Sequence, residues 1–122
     1  MKRPESALQI KSEAFSGRVR KLYTYLVKTK HETVMAKQVY RSGTSIGANI
    51  AESRNAQSPA DFVSKLSIAL KESGETEYWL KSLHNSGVLN DLEFNSIYED
   101  NVEQTKMLVS SIKTMKRKLG IL

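Results

Sequence analysis

A twelve-residue segment, Arg41-Ser-Gly-Thr-Ser-Ile-Gly-Ala-Asn-Ile-Ala-Glu52, holds the most distinctive polar side chains of this sequence. Arg41, Ser45, Asn49 and Glu52 recur at spacings of four, four and three residues, so they share one face of a predicted helix. The residues between them are mostly small, which allows another helix to come close. We therefore expect this helix to make a specific contact through an ordered polar row.

A second polar row, Lys65, Glu72, Glu75 and Trp79, lies on the next predicted helix. Two carboxylates can act as acid and base or bind a cation, but no nucleophile accompanies them, and a solvated helix face is the simplest alternative. Arg41 can instead pair with them, within one subunit or across an interface, where Trp and Arg are enriched. We name the two rows together the polar seam and predict that it sets the register of the bundle and of its assembly.

Catalytic and metal-binding patterns are missing from the sequence. It has no cysteine, and neither His31 nor His84 follows a glutamate at the three-residue spacing of di-iron bundles. Gly43 and Gly47 fall inside a helix and cannot form a phosphate-binding loop between a strand and a helix. We predict no catalytic residue, no metal and no cofactor, and hence no enzyme activity.

Length and composition predict one domain, residues 1–122. The chain has 122 residues, of which 39% are hydrophobic, so it can build a real core. No apolar run reaches about 18 residues, which argues against a membrane span. The first residues are not followed by the apolar stretch of a secretory signal. A cytoplasmic protein without a membrane role is the expectation.

Hydrophobic spacing predicts four helices, and short connections favour antiparallel neighbours, so the fold class is an all-α, up-down-up-down four-helix bundle. The helices are expected at about residues 5–29, 35–54, 59–85 and from Asn90 or Asp91 onward. Ser58-Pro59 and Asn90 with Glu93 are predicted helix starts, and Ser86-Gly87 a helix end. On helix four the residues predicted to face inward are Phe94, Tyr98, Val102, Thr105, Leu108, Val109, Ile112, Met115 and Leu119.

The net charge of +6 is unevenly distributed, with basic residues concentrated near both chain ends, Lys2 and Arg3 among them. We expect helices one and four to bring these basic ends together as a polyanion-binding face, although a solvated surface explains the basic residues equally well. No aromatic stacking platform is evident, so little base specificity is expected. The predicted phosphate contacts are Arg18, Arg20, Lys21, Lys28, Lys113, Lys116, Arg117 and Lys118.

Two motifs carry a family resemblance: Arg41-Ser-x-x-Ser-Ile-x-Ala-Asn-Ile-Ala-Glu52 and Asp61-Phe-x-x-Lys-Leu-x-Ile-Ala-x-Lys-Glu-x-x-Glu-Thr-x-Tyr-Trp-Leu80. They resemble the four-helix bundle proteins of bacterial 23S ribosomal RNA intervening sequences. One departure is Gly43, where the family more often has alanine. The resemblance implies an antiparallel bundle and a homopentameric ring. A related branch, the accessory variability protein of diversity-generating retroelements, is a basic pentamer that binds nucleic acid and a reverse transcriptase.

Two classes of function remain open from the sequence. The first is a non-enzymatic homo-oligomeric scaffold, expected to be pentameric, that binds RNA or DNA through its basic surface. The second is an adaptor for a protein partner, such as a reverse transcriptase, with no role in nucleic-acid binding.

Overall fold

The computed structural model describes residues 6–121, which form four α-helices: α1 (Ala7–Lys28), α2 (Val34–Ser53), α3 (Pro59–Asn85) and α4 (Asp91–Lys118). Consecutive helices pack together, and α4 returns to α1. The predicted all-α four-helix bundle is confirmed. The α1–α4 pair is antiparallel, because Arg18 contacts Asp100 whereas the later Tyr25 contacts the earlier Glu93. Lys2, Arg3 and the predicted first turn at Glu5 lie outside the described residues.

Three helix starts follow from local hydrogen bonding. Ser6, Ser58 and Asn90 each accept a hydrogen bond from the backbone N–H three residues later, at 3.1, 3.1 and 2.8 Å. Glu93 returns the bond to the Asn90 backbone N–H at 2.9 Å, which completes a capping box. Pro59 occupies the first turn of α3. These caps confirm the predicted starts of α3 and α4.

The connection between α3 and α4 contains the residues that end α3. Gly87 adopts a left-handed conformation with φ of 80°, which costs glycine little because it has no Cβ. The Val88 backbone N–H then donates to the Leu83 carbonyl at 3.0 Å. This reversal satisfies a carbonyl at the end of α3 and confirms Ser86-Gly87 as the predicted helix end.

The helices bury one apolar face each, largely as their periodicity predicts. On α1 to α3 the buried apolar side chains are separated by three, four, seven or eleven residues, and these spacings keep them on one face of each helix. Met35 and Phe62, on α2 and α3, are half-buried. The buried members are Leu8, Phe15, Val19, Leu26, Ala36, Val39, Ile46, Ile50, Leu66, Ala69, Leu80 and Leu83.

The prediction for α4 was partly wrong, because the centre of its inner face is polar. Asn101 and Gln104 are buried, whereas the predicted Leu119 is 36% exposed. The Asn101 side-chain amide donates to the Ser73 carbonyl at 3.0 Å, and Gln104 donates to Asn101 Oδ1 at 3.0 Å. These bonds let amides occupy the core. Ile97 is also buried. The other residues predicted inside on α4 are half-buried, namely Tyr98, Val102, Thr105, Val109 and Met115.

α1 and α2 approach closely where α2 has glycine. A Cβ at Gly43 would lie 2.8 Å from a Val19 methyl, and one at Gly47 would lie 3.2 Å from the Ser16 hydroxyl. The small residues of the segment 41–52 therefore serve helix packing on the α1 side of α2. Within residues 6–121, no helix is long and apolar enough to cross a membrane.

Candidate functional site

The two rows of the polar seam face each other across the groove between α2 and α3. Arg41 forms ion pairs with Glu72, at 3.4 Å, and with Glu75. At the other end of the row, Lys65 Nζ lies 3.8 Å from a Glu52 carboxylate oxygen. Each helix contributes both kinds of charge. Arg41 and Glu52 lie on α2, whereas Lys65, Glu72 and Glu75 lie on α3. The predicted pairing of the rows is therefore present within a single subunit.

The middle of the seam is bonded along α2. The Ser45 hydroxyl donates to the Arg41 carbonyl at 2.6 Å, and the Asn49 amide donates to the Ser45 carbonyl at 2.9 Å. Neither side chain bridges to α3 in these bonds. Side chains bonded in this way lie along their own helix. They therefore add little polar volume to the groove between α2 and α3.

The seam lies at the surface of the single subunit. The Arg41 side chain is 50% exposed, whereas Glu72 is 16% exposed. A hydrogen bond from Arg41 holds the pKa of Glu75 below its usual value, although partial burial acts in the opposite direction. Exposed pairs of this kind contribute about 0.2–1 kcal/mol to stability. Holding one subunit together is therefore a small part of what the seam can do.

Apolar side chains adjoin these neutralised charges. Ile68 lies on the same stripe of α3 as Glu72 and Glu75 and is 40% exposed. Tyr78 is 61% exposed, and its ring packs edge-on against Trp79 at 4.9 Å between centroids. The half-buried Trp79 makes no hydrogen bond of ordinary geometry to the described residues through its indole N–H, although its nearness to Glu75 helps to lower the pKa of that carboxyl. The α2–α3 face therefore combines paired charges with exposed apolar area.

The predicted basic face is divided by the fold, and Arg18 belongs to an intramolecular network. Its guanidinium lies 2.6 Å from Asp100 and donates to the Ser96 hydroxyl at 2.7 Å. Lys11 lies 3.1 Å from the same Asp100 carboxyl and also pairs with Glu103. Burial acts to raise the pKa of Asp100, but the hydrogen bonds from Arg18 and Lys11 outweigh it and lower that pKa. Arg18 is consequently engaged with α4 and is not a free phosphate contact.

The other predicted phosphate contacts lie at opposite ends of the bundle. Tyr25, near the end of α1, bonds Glu93 at the start of α4, whereas the second basic group follows residue 112. At 1.5 Å per helical residue, the groups are separated by about 30 Å along the bundle. These two groups therefore do not meet, although the N-terminal end of α1 does lie beside the C-terminal part of α4, where Ser6 and Leu8 line one pocket with Ser111. One end has Arg20, Lys21 and Lys28, all exposed; the other has Lys113, Arg117 and Lys118, also exposed, with Lys116 half-buried.

Charge pairing leaves both ends positive. Among residues 6–121, six acidic side chains form ion pairs with lysine or arginine (Glu52, Glu72, Glu75, Glu77, Asp100 and Glu103). None of these pairs involves a basic residue of the two end groups. The basic side chains of the two ends therefore carry charge that no ion pair among these residues offsets, although Glu93 lies near Lys21 at one end.

A groove between α1 and α2 was missed by sequence reasoning. Tyr23 and Tyr40 meet there with ring centroids 5.1 Å apart, beside Arg20 and Lys37. Two aromatic rings thus lie beside two basic residues, an arrangement that the sequence did not predict. The sequence does contain a signal for this groove. On both α1 and α2 a basic residue lies three positions before a tyrosine, Arg20 before Tyr23 and Lys37 before Tyr40.

A metal centre has no support in side-chain placement. Within the described range 6–121, no group of three or more His, Asp or Glu side chains is arranged to hold a metal ion. His84 lies 2.7 Å from Asp91 and stacks on Phe94, so its position has a structural reason.

The fold and the paired seam define a class of small, antiparallel four-helix bundles with a polar face on the second and third helices. The chain belongs to the 23S rRNA-intervening sequence protein family, whose pattern matches residues 6–110. It is also similar to the crystal structure of a protein of unknown function from the S23 ribosomal protein family of Bacteroides thetaiotaomicron. That similarity has a TM-score of 0.86 and 50% identity, and covers 87% of this chain and 95% of the other. No curated protein matches the chain.

Proposed function

We propose that this protein is a non-enzymatic cytoplasmic scaffold that assembles into a homo-oligomeric ring and binds RNA or DNA through its basic surface. The observation that carries the proposal is the separation of charges: six acidic side chains are paired with lysine or arginine within the subunit, while the basic side chains at both ends form no ion pair among residues 6–121. A surplus of this kind attracts a polyanion by releasing its counterions.

Assembly is assigned to the α2–α3 face. Burying a lone charge is expensive, but the charges of Arg41 and Glu52 are already matched within the subunit, so burying them against a second copy costs less. The exposed Ile68 and Tyr78 supply apolar area. The resemblance to pentameric members of the family sets the expected number of copies at five, and five chains of +6 carry about +30 charges per ring.

Sedimentation of the Arg41→Ala variant tests the assembly. An exposed ion pair contributes about 0.2–1 kcal/mol to one subunit, so the variant is expected to stay folded and yet sediment as smaller species. Lys81→Ala is a matched control, because it removes an exposed pair with Glu77 that lies along α3 only. If the Arg41→Ala protein stays fully oligomeric and its melting temperature is unchanged, the polar seam is not part of the interface.

Salt titration tests nucleic-acid binding. Fluorescence anisotropy with a structured RNA and a duplex DNA is expected to show affinity that falls steeply between about 50 and 200 mM salt. Arg117→Gln with Lys118→Gln, or Arg20→Gln with Lys21→Gln, should weaken binding and reduce the salt slope by about 2. Lys71→Gln with Lys106→Gln removes the same charge elsewhere and should change it less. Absence of binding near 50 mM salt would reject this function and favour the protein-adaptor alternative.

A further inference from the structure

The groove between α1 and α2 joins cations and aromatic rings in one place. It has a volume of about 500 Å³ and is lined by Arg20, Tyr23, Thr24, Lys37 and Tyr40. The Tyr40 side chain is 39% exposed, and the half-buried Tyr23 packs against it with an interplanar angle of 59°. The inner ring thus supports the outer one and limits its motion.

The cations beside these rings are available for an anion. Arg20 and Lys37 are exposed and form no ion pair within residues 6–121. The nearest acidic residue in the connection, Glu32, uses a carboxylate oxygen to accept the Met35 backbone N–H at 2.8 Å. The residues that line the groove include no acidic side chain, and each wall carries one cation, Arg20 on α1 and Lys37 on α2.

We infer that this groove binds single-stranded nucleic acid, with a base stacked on Tyr40 and the flanking phosphates contacted by Arg20 and Lys37. The inference rests on the proposed nucleic-acid function, and it adds the form of the ligand and the residues that select it. Aromatic side chains hold unpaired bases by stacking, while neighbouring cations follow the backbone.

The single strand is favoured over two other anions by the chemistry of the groove. A duplex keeps its bases stacked on one another and offers the tyrosine no free ring face. An acidic peptide satisfies Arg20 and Lys37 but leaves the exposed face of Tyr40 without a planar partner. Of these three ligands, only the single strand, with its unpaired nucleotides, uses the cations and the ring together.

The test compares three ligands of about 15 nucleotides, the length scale of single-strand sites: oligo-dT, an abasic strand of equal charge, and a mixed-sequence duplex. Anisotropy is measured at constant salt. Tyr40→Leu is expected to weaken oligo-dT binding about fivefold or more while changing binding of the abasic strand little. Tyr40→Trp keeps a ring and should retain the affinity. Lys37→Gln should weaken all three ligands.

Tyr98→Leu is the matched control, because Tyr98 lies between α3 and α4, outside both the groove and the α2–α3 face. Circular dichroism and melting confirm that each variant is folded. If wild-type protein binds oligo-dT no more tightly than the abasic strand, or if Tyr40→Leu and Tyr98→Leu behave alike, the groove is not the site although nucleic-acid binding stands. If the wild type binds none of the three, the proposed function itself fails. Tighter binding of a glutamate-rich peptide than of oligo-dT would overturn the inference in favour of an acidic protein partner.

Discussion

Replacing Gly43 by alanine should destabilise the protein, although alanine is the better helix former. The added Cβ would lie 2.8 and 3.0 Å from the two methyl groups of Val19, which is itself fully buried. Ordinary contacts at such an atom are longer than about 3.4 Å, so α1 must move or Val19 must leave its rotamer. Valine is stiff at χ1, which limits the second route. The departure from the family pattern at Gly43 thus accommodates Val19.

The expected magnitude is a balance of two opposing terms. Overpacking a core costs about 1–3 kcal/mol, whereas replacing a helical glycine by alanine gains about 1 kcal/mol. Gly43→Ala should therefore lose about 1 kcal/mol of unfolding free energy. At Gly17 and Gly74 a Cβ meets nothing within 4 Å, so alanine there should gain up to about 1 kcal/mol. The variants should differ by about 2 kcal/mol, which corresponds to roughly 8 °C in melting temperature for a domain of this size.

Urea unfolding and calorimetry at one fixed protein concentration measure this difference, because an oligomer's melting temperature depends on concentration. A double-mutant cycle with Val19→Ala then isolates the contact. Removing the Val19 methyls should relieve the clash, giving a coupling energy between the two substitutions of about 1 kcal/mol or more. If Gly43→Ala is as stable as Gly17→Ala, or if the cycle shows no coupling, the close approach of α1 to α2 does not limit packing at this position.

Two further predictions concern charge and capping. Because the folded pKa of Asp100 is lowered, its contribution to stability is present above the ordinary carboxyl pKa and is lost as pH falls through the folded value. Asp100→Asn should thus destabilise the protein at pH 7 more than at about pH 2.5, and Glu99→Gln at pH 7 controls for the loss of one negative charge. An equal loss at both pH values would contradict this reasoning. Asn90→Ala removes the capping box of α4 and should cost about 1 kcal/mol in urea unfolding, whereas Asn95→Ala, in the helix interior, should cost less; equal effects would show that the cap is dispensable.

Helix positions could be predicted because their signals are local. Ser58 and Asn90 act within three residues of the backbone groups that they cap, and Gly87 reverses the chain where a positive φ is needed. The inner face of α4 could not be predicted equally well. Apolar Leu119 and half-polar Tyr98 looked better suited to a core than Asn101 or Gln104. The acceptor that makes the Asn101 position acceptable, the Ser73 carbonyl, comes from a different helix.

The candidate site shows the same division between local and distant information. Four-residue spacing correctly placed Arg41 on the α3 side of α2, opposite two carboxylates that lie three residues apart. The net charge of the chain could not predict that Arg18 forms an ion pair with Asp100. Whether two basic groups meet depends on helix direction and register, and the antiparallel α1–α4 pair places them far apart. Composition identifies surplus charge, whereas its distribution requires the fold.

α2 connects the two proposed surfaces. Its α3 side presents Arg41 to the carboxylates of the seam, while its α1 side places Tyr40 against Tyr23. Since these residues are adjacent in sequence, they point to neighbouring sides of one helix, and a ring formed through the α2–α3 face leaves the tyrosine groove beside each interface. Each subunit of the ring therefore presents one groove. A strand that spans neighbouring subunits makes several weak contacts, and these contacts together raise its affinity. Disrupting assembly at Arg41 should therefore weaken binding of a long single strand more than binding of a short one.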